Sequence, residues 1–79
     1  MLYQNGNLSL DMVGIGQSVK LVKVTAGRQL ARRLAEMGLT PGVQLKVVQD
    51  QGGPMLLAVR NSRLALGRGM AHKIIVEAS

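Results

Sequence analysis

The 79-residue chain has no cysteine, no tryptophan, no phenylalanine and one tyrosine, Tyr3. Without cysteine there is neither a disulfide framework nor a thiolate metal site. Without aromatics the core has to be aliphatic, and Val, Leu, Ile, Met and Ala supply almost all of the 47% hydrophobic content. Readers of single-stranded nucleic acid stack bases on aromatic rings, and only Tyr3 could serve, so the composition argues against that class. Carboxylates are also scarce: Asp11, Glu36, Asp50 and Glu77 are the full set, with His72 as the single imidazole. No acid–base pair or nucleophile constellation emerges from them, and none of Ser9, Ser18, Ser62 or Ser79 has a Gly-x-Ser-x-Gly setting. The chain is not expected to be an enzyme. Long apolar runs are missing too. The longest, Met55 to Val59, falls far short of the roughly 20 residues that cross a bilayer. The opening MLYQNGNLSLDM has no basic start and no sustained apolar stretch, so no signal peptide is read and the expected location is cytoplasmic.

What remains is small, basic and aliphatic. The length fits one domain over residues 1–79 with a core of about residues 8–77. A chain of this size buries only about 60% of its unfolded surface. Ten Lys+Arg against four Asp+Glu give a net charge of +6, spread from Lys20 to Lys73 without a dense block. Dispersed charge of this kind reads first as a solvated surface. Glu36 is placed to pair with Arg32 or Arg33 on a helix, and Asp50 falls in a turn. His72 and Glu77 are the candidate metal ligands, too few for a specific transition-metal site, so no cofactor is expected beyond a weakly held ferrous or other divalent transition-metal ion. Most of the five methionines are expected to fill gaps in the core.

Four segments carry strand patterns: 16–24, 42–49, 54–60 and 73–78, with a weaker fifth at 62–66. In the second, Val43, Leu45 and Val47 alternate with Gln44 and Lys46, as in a strand buried on one side. The loop from Gln49 to Pro54 reads as a hairpin connection, and a tight turn is placed around Asn61. One helix is expected from Ala26 to Met37, with Thr25 as N-cap and an apolar stripe of Ala26, Leu30, Leu34 and Met37. Gly38 sits where a left-handed cap is wanted, and Pro41-Gly42 follow as a stop. A single helical turn is expected at 67–71. The order gives an all-β fold: a small barrel of about five strands, with one α-helix inserted between the first and second and a helical turn before the last.

The segments RRLAEMGLTPG, at Arg32 to Gly42, and LAL…MA…IIV near the end resemble the FeoA family of bacterial ferrous-iron transport. A similar module closes some metal-dependent repressors of the DtxR type. The resemblance implies an SH3-like barrel and association with FeoB, a membrane transporter with a GTP-binding domain. It implies transition-metal binding as well, which a chain with one histidine and no cysteine supports poorly. On this reading Leu34, Gly38, Leu39, Pro41 and Gly42 are structural, and Leu30, Leu45 and Ile74 join Leu34 and Leu39 in the core. The helix face of Arg28, Arg32 and Arg33 is the candidate docking surface, with Arg68 and His72 as a second patch. The expected protein is a monomer or a weak homo-oligomer that does not insert into the membrane. The alternatives are a metal-sensing barrel and a barrel that binds nucleic acid without sequence preference.

Overall fold

The computed structural model describes residues 7–50 and 52–79. Met1, Tyr3 and Gln51 of the expected hairpin loop lie outside them. In chain order the elements are β1 (Leu8–Ser9), a 3₁₀ turn (Leu10–Met12), β2 (Ser18–Val24), α1 (Arg28–Glu36), β3 (Gln44–Gln49), β4 (Met55–Val59), β5 (Ser62–Leu66), α2 (Arg68–Ala71) and β6 (Ile74–Ala78). The strands form one antiparallel sheet in the order β1-β6-β2-β3-β4-β5. The fold is all-β as expected, with α1 between the first two strands of the sequence reading and α2 before the last. The addition is β1, whose two residues pair with β6 at Leu8 and Val76. Two residues carry no periodicity, so sequence reasoning had no signal for it.

Alternation along the strands builds the core. Val19 and Leu21 of β2, Leu45 and Val47 of β3, Met55, Leu57 and Val59 of β4, and Ile74 and Val76 of β6 are all buried. Leu10, Val13, Leu34, Leu39, Val43, Leu66 and Ala71 complete it, without an aromatic ring among them. Of the expected core residues Leu34, Leu39, Leu45 and Ile74 are inside, whereas Leu30 is only half-buried against the cluster. The methionines divide differently from expectation. Met55 is fully buried and Met70 packs on the core, but Met12 and Met37 are 70% and 45% exposed.

The corner after α1 follows from backbone chemistry. Gly38 takes φ 93° and donates its N–H to Ala35 O at 2.9 Å, while Leu39 N–H reaches back to Leu34 O at 2.9 Å. This double closure satisfies carbonyls that the helix end would otherwise orphan, and it needs a left-handed residue at Gly38. Leu34 and Leu39, joined by the second bond, are both 1% exposed and so anchor the corner in the core. Gly42 then takes φ 94° and bonds Leu21 O at 2.8 Å, launching β3 alongside β2.

The start of α1 is corrected. Its N-cap is Gly27, with no side-chain cap, and Ala26 precedes the helix. Thr25 instead turns to the distant strand: its N–H and hydroxyl both donate to Lys73 O, at 2.7 and 3.2 Å. A cross-sheet acceptor thus outcompeted the local cap. In the β4–β5 turn the left-handed residue is Arg60, at φ 57°, one before Asn61.

Candidate functional site

α1 rests on the body of the protein through little more than one side chain. Leu34 is buried, Leu30 and Ala31 are half-buried, and the remaining residues are exposed. Arg28 and Arg32 are one turn apart on the outer side, and Arg33 lies one position further round. All three are exposed. The expected pairing of Glu36 with Arg32 or Arg33 is not formed: the two ion pairs among the described residues lie elsewhere. An exposed pair of this spacing contributes only about 0.3–0.5 kcal/mol, less than enough to hold two long side chains in one geometry. Among the described residues the three guanidinium groups have no ion-pair or hydrogen-bond partner, and they face solvent.

The second patch is built in the opposite way. Arg68, the first residue of α2, forms an ion pair with Asp50 in the β3–β4 loop and donates from Nη2 to the Asp11 carbonyl at 3.3 Å. His72 follows α2 as its C-cap and directs Nδ1 to Asp11 Oδ2 at 3.3 Å. The Ser9 hydroxyl donates to the other carboxylate oxygen of Asp11. Asp11 thus joins β1, the 3₁₀ turn and α2, and Arg68 extends the link to the β3–β4 loop. The Ser9 hydrogen bond, seconded by His72, holds the Asp11 carboxyl below its ordinary range, against the opposing push of partial burial. Asp11 and Asp50 had been given no such task from the sequence. The short Ser9-to-Asp11 spacing was a local hint, but contacts to residues 57 and 61 positions away left no trace in it.

A metal does not fit these residues. The undescribed positions contain no Asp, Glu, His or Cys. Among the described residues no three such side chains come together. The carboxylate within reach of His72 is Asp11, whereas Glu77 lies on β6 opposite Lys20 of β2. One imidazole and one carboxylate fall short of the three or four ligands of a specific transition-metal site.

Two shallow clefts of about 520 and 500 Å³ open on the surface. None of Arg28, Arg32, Arg33, Arg68 or His72 lines either one. No described helix is long and apolar enough to cross a membrane.

Comparison with known proteins yields one consistent set. The model of the FeoA domain matches residues 8–78. A curated protein of Methanocaldococcus jannaschii, named "Putative Fe(2+) transport protein A", is 42% identical over 62 residues, covering 78% of this chain and 76% of that one. The crystal structure of Stenotrophomonas maltophilia FeoA complexed with zinc, described as a prokaryotic SH3 domain protein, superposes with a TM-score of 0.79. It is 28% identical and the match covers 89% of each chain. A manganese-dependent transcriptional repressor shares the fold at a TM-score of 0.83 and 21% identity, over 92% of this chain and 42% of the repressor.

Proposed function

Because the chain belongs to the FeoA domain family, we propose that it is a cytoplasmic accessory protein of ferrous-iron uptake, acting by docking on a FeoB-type membrane GTPase transporter and not by catalysis. The observation that carries this reading is the outer face of α1, where Arg28, Arg32 and Arg33 are exposed and none is within 4.0 Å of a carboxylate. The corner at Gly38 and the buried Leu34 fix the rotation of α1, so the arginines are presented at a set angle. A preoriented basic face favours fast association with an acidic surface, since charge complementarity acts mainly on encounter.

Docking changes the transporter's behaviour only as far as this protein binds one of its states more tightly than another. Nucleotide-bound and nucleotide-free forms of the GTP-binding region are the two states that such a partner would discriminate. Support also comes from the Stenotrophomonas maltophilia relative, for which an activating role in ferrous-iron transport is suggested. Iron on this reading is the transporter's cargo and makes no stop on this chain.

Equilibrium binding of the full chain to the cytoplasmic region of the matching transporter tests the reading, with and without guanine nucleotide. The expected result is saturable association that the Arg32→Glu, Arg33→Glu double variant weakens by about tenfold or more. No association in either nucleotide state sinks the proposal.

A further inference from the structure

A second basic surface exists on the sheet itself, and no part of the docking argument uses it. Cross-strand register sets Ser18 of β2, Lys46 of β3, Ala58 of β4 and Arg63 of β5 in one row. In the next row Lys20 of β2 stands opposite Gln44 of β3, and Arg60, in the β4–β5 turn, lines the same cleft as Gln44 and Lys46. The strand residues among them point away from the core, because those alternating with them, Val19, Leu45, Val47, Leu57 and Val59, are buried, and Arg60 in the turn is exposed.

The charges on this face are left uncompensated. Lys46, Arg60 and Arg63 are exposed and Lys20 is half-buried, and none has a carboxylate within 4.0 Å among the described residues. Asp11 and Asp50 are committed to His72 and Arg68, Glu36 is on α1, and only Glu77, opposite Lys20 on β6, borders the face. The cations are also interleaved. Lys46 has Ser18 and Ala58 beside it, and Arg63 has Ala58, so no two like charges stand directly opposite. Direct opposition would destabilise the sheet. Between Lys46 and Arg60 the surface dips into the cleft of about 520 Å³, where Ser18 and Ala58 are small enough to leave the hollow and Gln44 lends an amide.

Spacing decides what fits. Neighbouring strands lie about 4.8 Å apart, which puts the bases of Lys46 and Arg63 roughly 10 Å from each other. One compact phosphate engages both only if the two long side chains converge on a single point, which costs them rotamer freedom. Carboxylates on alternate residues of an extended chain fall about 7 Å apart, a gap that flexible Lys and Arg side chains can span. Nucleic acid fits less well, since this face has no aromatic ring on which a base could stack. We propose that the outer face of β2–β5, centred on Lys46, Arg60 and Arg63, binds an extended acidic polypeptide segment of a partner protein. The side-chain amide of Gln44 and the hydroxyl of Ser18 hydrogen-bond the segment where it crosses the cleft.

The isotope-labelled full chain, titrated at physiological salt with a synthetic peptide alternating glutamate and serine, tests this. Oligothymidylate and inorganic tripolyphosphate serve as parallel probes. The peptide is expected to move the amide resonances of Lys46, Arg60 and Arg63. A folded Lys46→Gln, Arg63→Gln double variant should bind it about tenfold more weakly, and Arg32→Gln should weaken it by less than about twofold. The proposal is overturned if the peptide does not bind, if its shifts map to α1, or if Arg32→Gln weakens it equally. It is overturned as well if oligothymidylate or tripolyphosphate moves the same amides at lower concentration than the peptide.

Discussion

The two helices carry the same chemistry to opposite ends. α1 holds three exposed arginines that have no partner among the described residues, on a helix fastened by Leu34 and a glycine corner. α2 is a single turn, yet its Arg68 is engaged by Asp50 and the Asp11 carbonyl, and the His72 that caps it by the Asp11 carboxylate. The contrast comes from where the four carboxylates ended up. With ten basic side chains to serve, two of the four gather around α2, which turns that end into a structural joint. The cations of α1 and of the outer sheet face have no carboxylate partner among the described residues.

Several substitutions can break or sharpen this contrast. The largest effect is expected from Leu34→Ala, which empties the one fully buried anchor of α1 and should lower unfolding free energy by about 3 kcal/mol in urea titrations. For a domain this small that is a large part of the total. Gly38→Ala should cost about 1–2 kcal/mol by the same measurement, because an alanine at φ 93° is strained. Space is not the cause, since an added Cβ would meet only Val59 Cγ1, at an ordinary 3.9 Å.

The arginines separate the two helices more directly. Arg68→Ala should destabilise by roughly 0.5–1 kcal/mol, a figure kept low by the 44% exposure of its side chain and the solvent screening that follows. Arg32→Ala should leave thermal stability where it was and act only on partner binding. Equal losses of stability would erase the distinction between joint and docking face.

The smallest effect concerns acid. The depressed Asp11 carboxyl means that its charged form favours the folded state. This contribution is present above the ordinary carboxylate range and is lost as pH falls through the lowered folded-state value. Urea midpoints followed from about pH 6 down to pH 2 should therefore fall less steeply for Asp11→Asn than for the parent. A slope identical to the parent's would remove Asp11 from the joint.

Legibility followed the range of the forces involved. Five strands were readable to within two residues at their ends, because alternation and turn residues are local properties. The Gly38 corner was readable for the same reason. Where a local preference met a distant competitor, the reading failed. Thr25 is a good N-cap by type, but Lys73 O lies 48 residues on and captured its hydroxyl. Met37 belongs to the apolar stripe by periodicity, yet α1 ends before it and leaves it 45% exposed. The arginines of α1 were found as a surface, since amphipathic spacing shows which side of a helix stays wet. The sheet face of Lys46, Arg60 and Arg63 was invisible, because only register and the cleft beside it bring residues of β3, β5 and the β4–β5 turn together.

The sequence by itself therefore determined an aliphatic all-β core, the helix and its glycine-made corner, and the scarcity of acids that leaves so many cations over. Periodicity, backbone dihedral demands and composition are written residue by residue. Tertiary structure decided which cations those few carboxylates neutralise. Asp11 and Asp50 reach partners 61 and 18 residues away only after the sheet has closed. A charge pair depends on distance in space, and separation along the chain carries no record of it.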